Sequence, residues 1–199
     1  MEFSDSVPLF SYGSNGRAQL EGRIKSPPEF VLQPATLEGY ERIFAGYSKL
    51  WCGAIASIRP SVGSSVFGSI VRLTRTQLDE LTRFEGGYEL ERVVCVYRDT
   101  GEQVDAWAFV KQNASYSTPP SEQYLTAIYH HHTEVWGNDD AESIAVVGIS
   151  VEGERLVLDP FRLKCCMRRS IPSFLVSVNV RRVNSGRKSW QLPLVCHNL

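Results

Sequence analysis

Short apolar segments bounded by Gly, Pro or Ser fill most of the first 110 residues, a pattern typical of β-strands. The first apolar run ends at Tyr12 and leads into a tight loop. Further strands are predicted at Phe30–Ala35, Tyr40–Tyr47, Trp51–Ile58, Ser65–Leu73, Arg92–Tyr97 and Val104–Val110. The turn-forming residues 59–63 favour a hairpin between two of these strands.

A helical period replaces the strand pattern from Thr74 onward. Thr76–Phe84 is predicted as a short amphipathic helix capped by Thr74 or Thr76. Its predicted core-facing residues are Leu78, Leu81 and Phe84. A glycine pair stops this helix, and the residue before the pair is Glu85. The pattern therefore places a carboxylate at the C-terminal end of the helix.

A second helix is predicted at 121–135, where Pro119 and Pro120 open it. One face of this helix carries Tyr124, Ile128 and either His131 or His132. The segment 16–24 is polar and is compatible with a short turn of helix. About six strands and two short helices, without repeats or regular βαβ alternation, disfavour a Rossmann fold. They predict an α+β fold with a curved, barrel-like antiparallel or mixed sheet.

Composition and charge divide the chain into two parts. Its 199 residues, 43% hydrophobic and 22% charged, are those of an ordinary globular protein with one large domain, or one domain and an appendage. The segment 161–199 has eight Lys and Arg residues and no Asp or Glu, so it carries +8 and the rest −9. We therefore predict a domain at 1–139 and a basic extension at 140–199.

The basic extension has two interpretations. Clustered Arg and Lys attract phosphates, which suggests nucleic acid or an anionic membrane as a partner. The favoured interpretation is one more strand at 172–180 with solvated arginines at its ends. The sequence therefore predicts no nucleic-acid or membrane partner.

The amino terminus lacks the pattern of a signal peptide, and no stretch approaches a membrane span of about 20 apolar residues. The five cysteines lack the spacing of metal ligands, which predicts reduced thiols and a cytoplasmic location. Three successive histidines, 130–132, point about 100° apart on a helix and cannot converge on one ion. No metal site is predicted.

The loop after the first strand, Tyr12-Gly13-Ser14-Asn15, can bind an anion. Glycine permits close approach to the backbone, and successive N–H groups that face one concavity form an anion-binding nest. Taken alone, the same residues favour a plain strand-ending turn over a ligand-binding loop. Neighbouring motifs therefore decide between the two interpretations.

Five segments with informative motifs follow one another along the chain: Phe10–Asn15, Trp51–Ile58, Val66–Val71, Leu78–Gly86 and Pro119–Leu125. Together they resemble the γ-glutamylcyclotransferase family over roughly residues 8–137. The resemblance implies cyclisation of a γ-glutamyl amino acid, glutathione or a glutathione-derived conjugate to 5-oxoproline, with release of the amine. It implies no cofactor and no metal, and it leaves a homodimer open.

The resemblance also implies roles for individual residues. Glu85 would be the general acid and base. The backbone N–H groups of Gly13, Ser14 and Asn15 would hold a substrate carboxylate or carbonyl oxygen. The substrate-binding residues implied in all are Tyr12, Gly13, Ser14, Asn15 and Tyr124. Tyr12 is expected to shape the loop, and the Tyr124 hydroxyl to hydrogen-bond in the same pocket.

Three departures from the family pattern favour an alternative. Gly16 replaces a large apolar residue, which suggests a more mobile loop; Glu91 or Arg92 replaces a tyrosine; and His131-His132 replaces a Gly-Ala pair. A shifted substrate would explain these changes. A non-catalytic module that binds a γ-glutamyl-like ligand, with the basic extension docking a partner, would explain them too.

Overall fold

The computed structural model describes residues 6–25, 30–112, 114–115, 118–137, 148–150, 155–157 and 181–182. These residues form three helices, α1 Arg17–Arg23, α2 Arg75–Thr82 and α3 Glu122–Trp136. The five longer strands are β1 Ser6–Ser11, β2 Gln33–Ser48, β3 Gly53–Thr74, β4 Tyr88–Tyr97 and β5 Gln103–Lys111. Three short strands follow, β6 Gly148–Ser150, β7 Arg155–Val157 and β8 Arg181–Arg182.

The five longer strands close into a barrel. Their order is β3-β1-β5-β4-β2, and β2 pairs back onto β3 to complete the ring. The β1–β5 contact is parallel, whereas the other four are antiparallel. The predicted α+β fold with a barrel-like mixed sheet is therefore confirmed.

Strands β2 and β3 form one long hairpin, which differs from the prediction. The segments predicted as four separate strands merge into two, and the chain reverses at residues 49–52. The hairpin predicted at residues 59–63 is wrong. Glu38 pairs with Ser65 and Tyr40 with Pro60, so residues 61–64 form a bulge in a continuous strand. Turn-forming residues in the sequence mark a bulge here instead of a chain reversal.

Helix α2 begins as predicted but ends earlier. Thr74 is its N-cap and forms a capping box with Gln77. Leu78 and Leu81 are buried, but Phe84 lies beyond the last helical residue and is 56% exposed, so the prediction that it faces the core is wrong. The helix ends two residues before it because Arg83 is already the C-cap.

Two apolar clusters support the barrel. One fills its interior, where α3 contributes Tyr124, Leu125, Ile128 and Tyr129. The other packs α1 and α2 against the outer side of β1 through residues such as Leu20, Leu78 and Leu81. Fully burying one Leu or Phe side chain contributes about 1.5–3 kcal/mol, so both helices are held mainly by these contacts. Helix α1 forms in the segment compatible with a short turn of helix, and its Leu20 is fully buried.

The short strands of the basic extension continue the sheet outward from β2. β6 pairs in parallel with β2, β7 pairs with β6, and β8 pairs with β7. The strand predicted at residues 172–180 lies outside the described residues, and the division at residue 139 stays a prediction. In the described ranges, no helix has the length and apolar character needed to cross a membrane.

Candidate active site

In the loop between β1 and α1, the backbone carbonyls of residues 13–15 are hydrogen-bonded within the protein, whereas, within the described ranges, the backbone N–H groups of the same residues are not. All three carbonyls accept hydrogen bonds: Gly13 O from His131 Nδ1, Ser14 O from Gly16 N and Asn15 O from Ser11 Oγ, each at 2.8 Å. The backbone N–H groups of Gly13, Ser14 and Asn15 donate to no other described residue. The acceptors are therefore satisfied by the protein, whereas the three donors remain available to a ligand.

Glu85 lies against this loop. Its Oε1 accepts hydrogen bonds from Asn15 Nδ2 at 3.0 Å and from Arg23 Nη1 at 2.8 Å. Arg23 Nη1 also donates to Asn15 Oδ1 at 2.7 Å, so the three side chains form a closed triangle. The Glu85 and Arg23 side chains are each 11% exposed. The carboxylate is thus fixed in position and paired with one positive charge.

Two tyrosines cover the open edge of β3 at Ala56. The Tyr124 hydroxyl accepts from Ala56 N at 2.9 Å, and the Tyr88 hydroxyl donates to Ala56 O at 2.6 Å. Burial raises the pKa of Tyr124 to about 12 and raises the pKa of Tyr88 well above its usual value. Both phenols therefore stay protonated at neutral pH, and the Tyr124 proton is available to a partner other than Ala56.

Tyr12 has a different environment. Its ring is 5% exposed, and its hydroxyl donates to the Phe109 carbonyl of β5. Burial, the largest cause, raises the pKa of Tyr12 well above its usual value. These contacts tie the start of the loop to the neighbouring strand of the barrel.

A single cavity of about 200 Å³ brings these groups together. Its lining includes all six predicted site residues, Tyr12, Gly13, Ser14, Asn15, Glu85 and Tyr124. Sequence reasoning missed several polar residues of the lining, among them Arg23, Tyr88 and Lys111. A sequence signal existed for Tyr88, which directly follows the glycine pair after Glu85; none existed for the other two.

Two of the three departures from the family pattern meet in the structure, and the third lies elsewhere. A Cβ on Gly16 would lie 2.8 Å from His131 Cβ, so these two positions are in direct contact. Glu91 accepts from Gln112 at 3.1 Å and Arg92 stacks on Trp107 at 5.3 Å, and neither lines the cavity. The change at Glu91 and Arg92 therefore lies outside the residues that line this cavity.

His131 and His132 are buried and hydrogen-bonded to different partners. Because the Gly13 carbonyl only accepts, His131 Nδ1 carries a proton and Nε2 accepts from Ser69 Oγ at 2.8 Å. Burial lowers the pKa of His131 to about 4. His132 Nε2 lies 2.7 Å from Arg42 Nη2, and burial is the main reason that the pKa of His132 is well below the usual value.

No group of three metal-ligating side chains occurs in the described part of the chain.

The fold and cavity define a class: a closed mixed barrel in which a glycine loop and a paired carboxylate face one small-molecule-sized space. The family model for gamma-glutamyl cyclotransferase, AIG2-like, matches residues 9–131. The chain belongs to this family.

Individual relatives agree with this assignment. The gamma-glutamylcyclotransferases of Bos taurus and Homo sapiens are each 28% identical over 131 residues, covering 62% of this chain and 69% of the relative. A solved structure named gamma-glutamyl cyclotransferase has a TM-score of 0.62 at 24% identity, covering 70% of this chain and 86% of its own. A human protein described as uncharacterized has a TM-score of 0.63 at 26% identity, covering 71% and 87%.

Proposed function

We propose that this protein is a cofactor-independent γ-glutamylcyclotransferase. Its substrate is a γ-glutamyl amino acid, glutathione or a glutathione-derived conjugate, and its products are 5-oxoproline and the released amine. One observation carries the proposal: Glu85 Oε1 lies 3.0 Å from Asn15 Nδ2, at the loop whose backbone donors are available. Membership in the gamma-glutamyl cyclotransferase, AIG2-like family supports the reaction class.

The reaction needs little from the protein besides orientation and proton transfer. The substrate's α-nitrogen attacks its own γ-carbonyl carbon, so a five-membered ring forms without an enzyme nucleophile. The new C–N bond forms as the α-ammonium loses a proton, and the old C–N bond breaks as the leaving nitrogen gains one. Glu85 takes the first proton and returns it to the leaving amine.

The loop stabilises negative charge during this step. The N–H groups of Gly13, Ser14 and Asn15 would bind the substrate carboxylate or the oxygen of the reacting carbonyl. Tyr124 would donate its hydroxyl proton to the same substrate, because its bond with Ala56 N uses only the oxygen as acceptor. Tyr12 would keep the loop in place through its bond to Phe109.

One observation favours a second candidate function. Glu85 is already bound by Arg23 and Asn15, so substrate must compete for its oxygens or use the one that these residues leave uncontacted. If Glu85 cannot accept a proton in this setting, the same cavity would bind a γ-glutamyl compound without turning it over.

The two functions are separated by measuring 5-oxoproline. Purified full-length protein is incubated with a panel of γ-glutamyl dipeptides and glutathione, and Glu85→Gln is compared with Glu89→Gln. Loss of the general base should reduce turnover at least about 100-fold in Glu85→Gln. Glu89 is exposed and lies outside the cavity lining, so Glu89→Gln should match the parent. Calorimetric binding without product would support the binding module instead.

A further inference from the structure

Lys111, the last residue of β5, occupies a narrow passage between two glycines. A Cβ on Gly46 would lie 2.4 Å from Lys111 Cε, and a Cβ on Gly87 would lie 3.1 Å from Nζ. Both glycines have positive φ, 62° and 79°, which side-chain-bearing residues rarely adopt. The path of the lysine side chain therefore depends on two positions that carry no side chain.

This path brings the ammonium group to the cavity. Lys111 lines the cavity, and its Nζ lies 5.0 Å from the centre of the Tyr88 ring, a cation–π distance. The ion pairs within the described ranges join Arg17 to Glu134, Arg23 to Glu85 and Arg59 to Glu41. No carboxylate among those residues pairs with Lys111, so its charge is held beside the cavity for a partner from outside.

The cavity lining carries a positive net charge. Its ionisable residues apart from the protonated tyrosines are Arg23, Glu85 and Lys111, which sum to +1. A γ-glutamyl group carries one ammonium and one carboxylate, so a γ-glutamyl amide of a plain amine is neutral. A γ-glutamyl amino acid has a second carboxylate, on the leaving amine, and a net charge of −1 that complements this lining.

Exposed apolar side chains line part of the cavity. Tyr47 and Leu50 line it while 55% and 73% exposed, and Trp51 packs its ring 5.1 Å from Tyr124. Exposed aromatic and aliphatic side chains around a cavity favour an apolar ligand. An apolar amino acid is therefore the most informative leaving group with which to test Lys111.

We propose that Lys111 is a specificity-determining residue that pairs with a carboxylate on the leaving amine of the substrate. The proposal rests on the proposed cyclisation, in that it names which end of a γ-glutamyl substrate the lysine contacts. It selects γ-glutamyl amino acids and peptides with an accessible carboxylate over γ-glutamyl amides of plain amines.

The test compares γ-glutamylphenylalanine with γ-glutamylphenethylamide, which differ only in that carboxylate. The parent should favour the first substrate by about 10-fold to 100-fold in kcat/KM, the range expected for a charge-assisted hydrogen bond. Lys111→Met should reduce this ratio toward one, mainly by raising KM for γ-glutamylphenylalanine. Lys111→Arg should keep part of the ratio because it keeps the charge. Lys49→Met, which removes an exposed lysine outside the cavity lining, should leave the ratio as in the parent.

The possible failures are distinguishable. Turnover of both substrates with equal kcat/KM in the parent, or an unchanged ratio in Lys111→Met, would overturn the role of Lys111 and leave the cyclisation standing. If no variant forms 5-oxoproline, calorimetry with γ-glutamylphenylalanine decides: binding that Lys111→Met weakens supports the lysine's role in a binding protein. Binding that Lys111→Met leaves unchanged, or no binding at all, refutes it.

Discussion

Gly16 and His131 fill one space between them: a Cβ on residue 16 would lie 2.8 Å from the Cβ and 3.2 Å from the Cα of the histidine. The same His131 holds the Gly13 carbonyl through Nδ1 at 2.8 Å. Two departures from the family pattern, taken separately in the sequence, are therefore one structural adjustment. Gly16 leaves room for the His131 side chain, whose Nδ1 donates to the Gly13 carbonyl of the same loop.

Gly16→Ala should displace the loop from α3, because a contact with the His131 backbone cannot be relieved by a side-chain rotation. We expect a loss of about 1–3 kcal/mol in the free energy of unfolding, the usual cost of overpacking, and reduced turnover. Urea denaturation and 5-oxoproline formation measure the two effects. Gly22→Ala is the control, since its Cβ would meet nothing within 4 Å inside α1 and should stabilise the helix by about 0.5–1 kcal/mol. Equal effects of both variants would contradict this account.

Arg23→Met should be costly because it leaves the Glu85 charge buried without its partner. The two side chains are each 11% exposed and Asn15 still donates to Glu85, so the loss of this charged hydrogen bond should cost about 1.5–3 kcal/mol. Arg17→Met breaks the pair with Glu134, whose members are 40% and 35% exposed, and should cost under about 1 kcal/mol. Thermal and urea unfolding of both variants give the comparison. Similar losses would show that the Arg23–Glu85 pair contributes no more than a surface pair.

Stability should fall on mild acidification because of the buried histidines. Burial lowers the pKa of His131 to about 4, whereas an unfolded histidine has a pKa of about 6.5. Between these values the unfolded chain binds a proton that the folded chain excludes, so stability is present above pH 6.5 and is lost as the pH falls toward 4. The free energy of unfolding should change with pH by up to about 1.4 kcal/mol per pH unit because of His131. His132 changes stability in the same direction.

Urea denaturation between pH 7.5 and 5.5 measures this slope in a range where carboxylates titrate little. His131→Asn should make the dependence shallower, because asparagine does not titrate and its amide can still donate to Gly13. His130→Asn removes an exposed histidine from the same helix and serves as the comparison. A pH dependence that is identical in His131→Asn and the parent would refute the assignment.

Tyr124→Phe should affect both stability and catalysis. It leaves the buried Ala56 N–H without its hydroxyl partner, which costs about 1–3 kcal/mol, and it removes the proposed substrate donor. Tyr129→Phe, a buried tyrosine on the same helix that does not line the cavity, is the matched control. Turnover measured well below the unfolding temperature separates the two effects. Parent-like kcat/KM in a folded Tyr124→Phe would remove that tyrosine from the mechanism.

The sequence predicts those parts of the fold that depend on local signals. The Gly, Pro and Ser residues between apolar segments locate the strands, and the capping residue Thr74 predicts the start of helix α2. The long β2–β3 hairpin is not predicted, because the residues that favour a chain reversal also occur in a β-bulge. Arg23 escapes prediction because its contact with Glu85 spans 62 positions and arises only when two helices pack side by side. Lys111 escapes because its route depends on glycines from two other segments.

Strand β1 pairs with β3 on one side and with β5 on the other, and both partners are synthesised after it. A chain leaving the ribosome therefore carries the loop that follows β1 before the residues that hold it, Phe109 of β5 and His131 of α3, have been added. Non-local strand pairing of this kind is slow compared with helix formation. A nascent chain that ends before β5 contains the Gly13 loop and Glu85 but lacks the strand that pairs with β1 in the barrel.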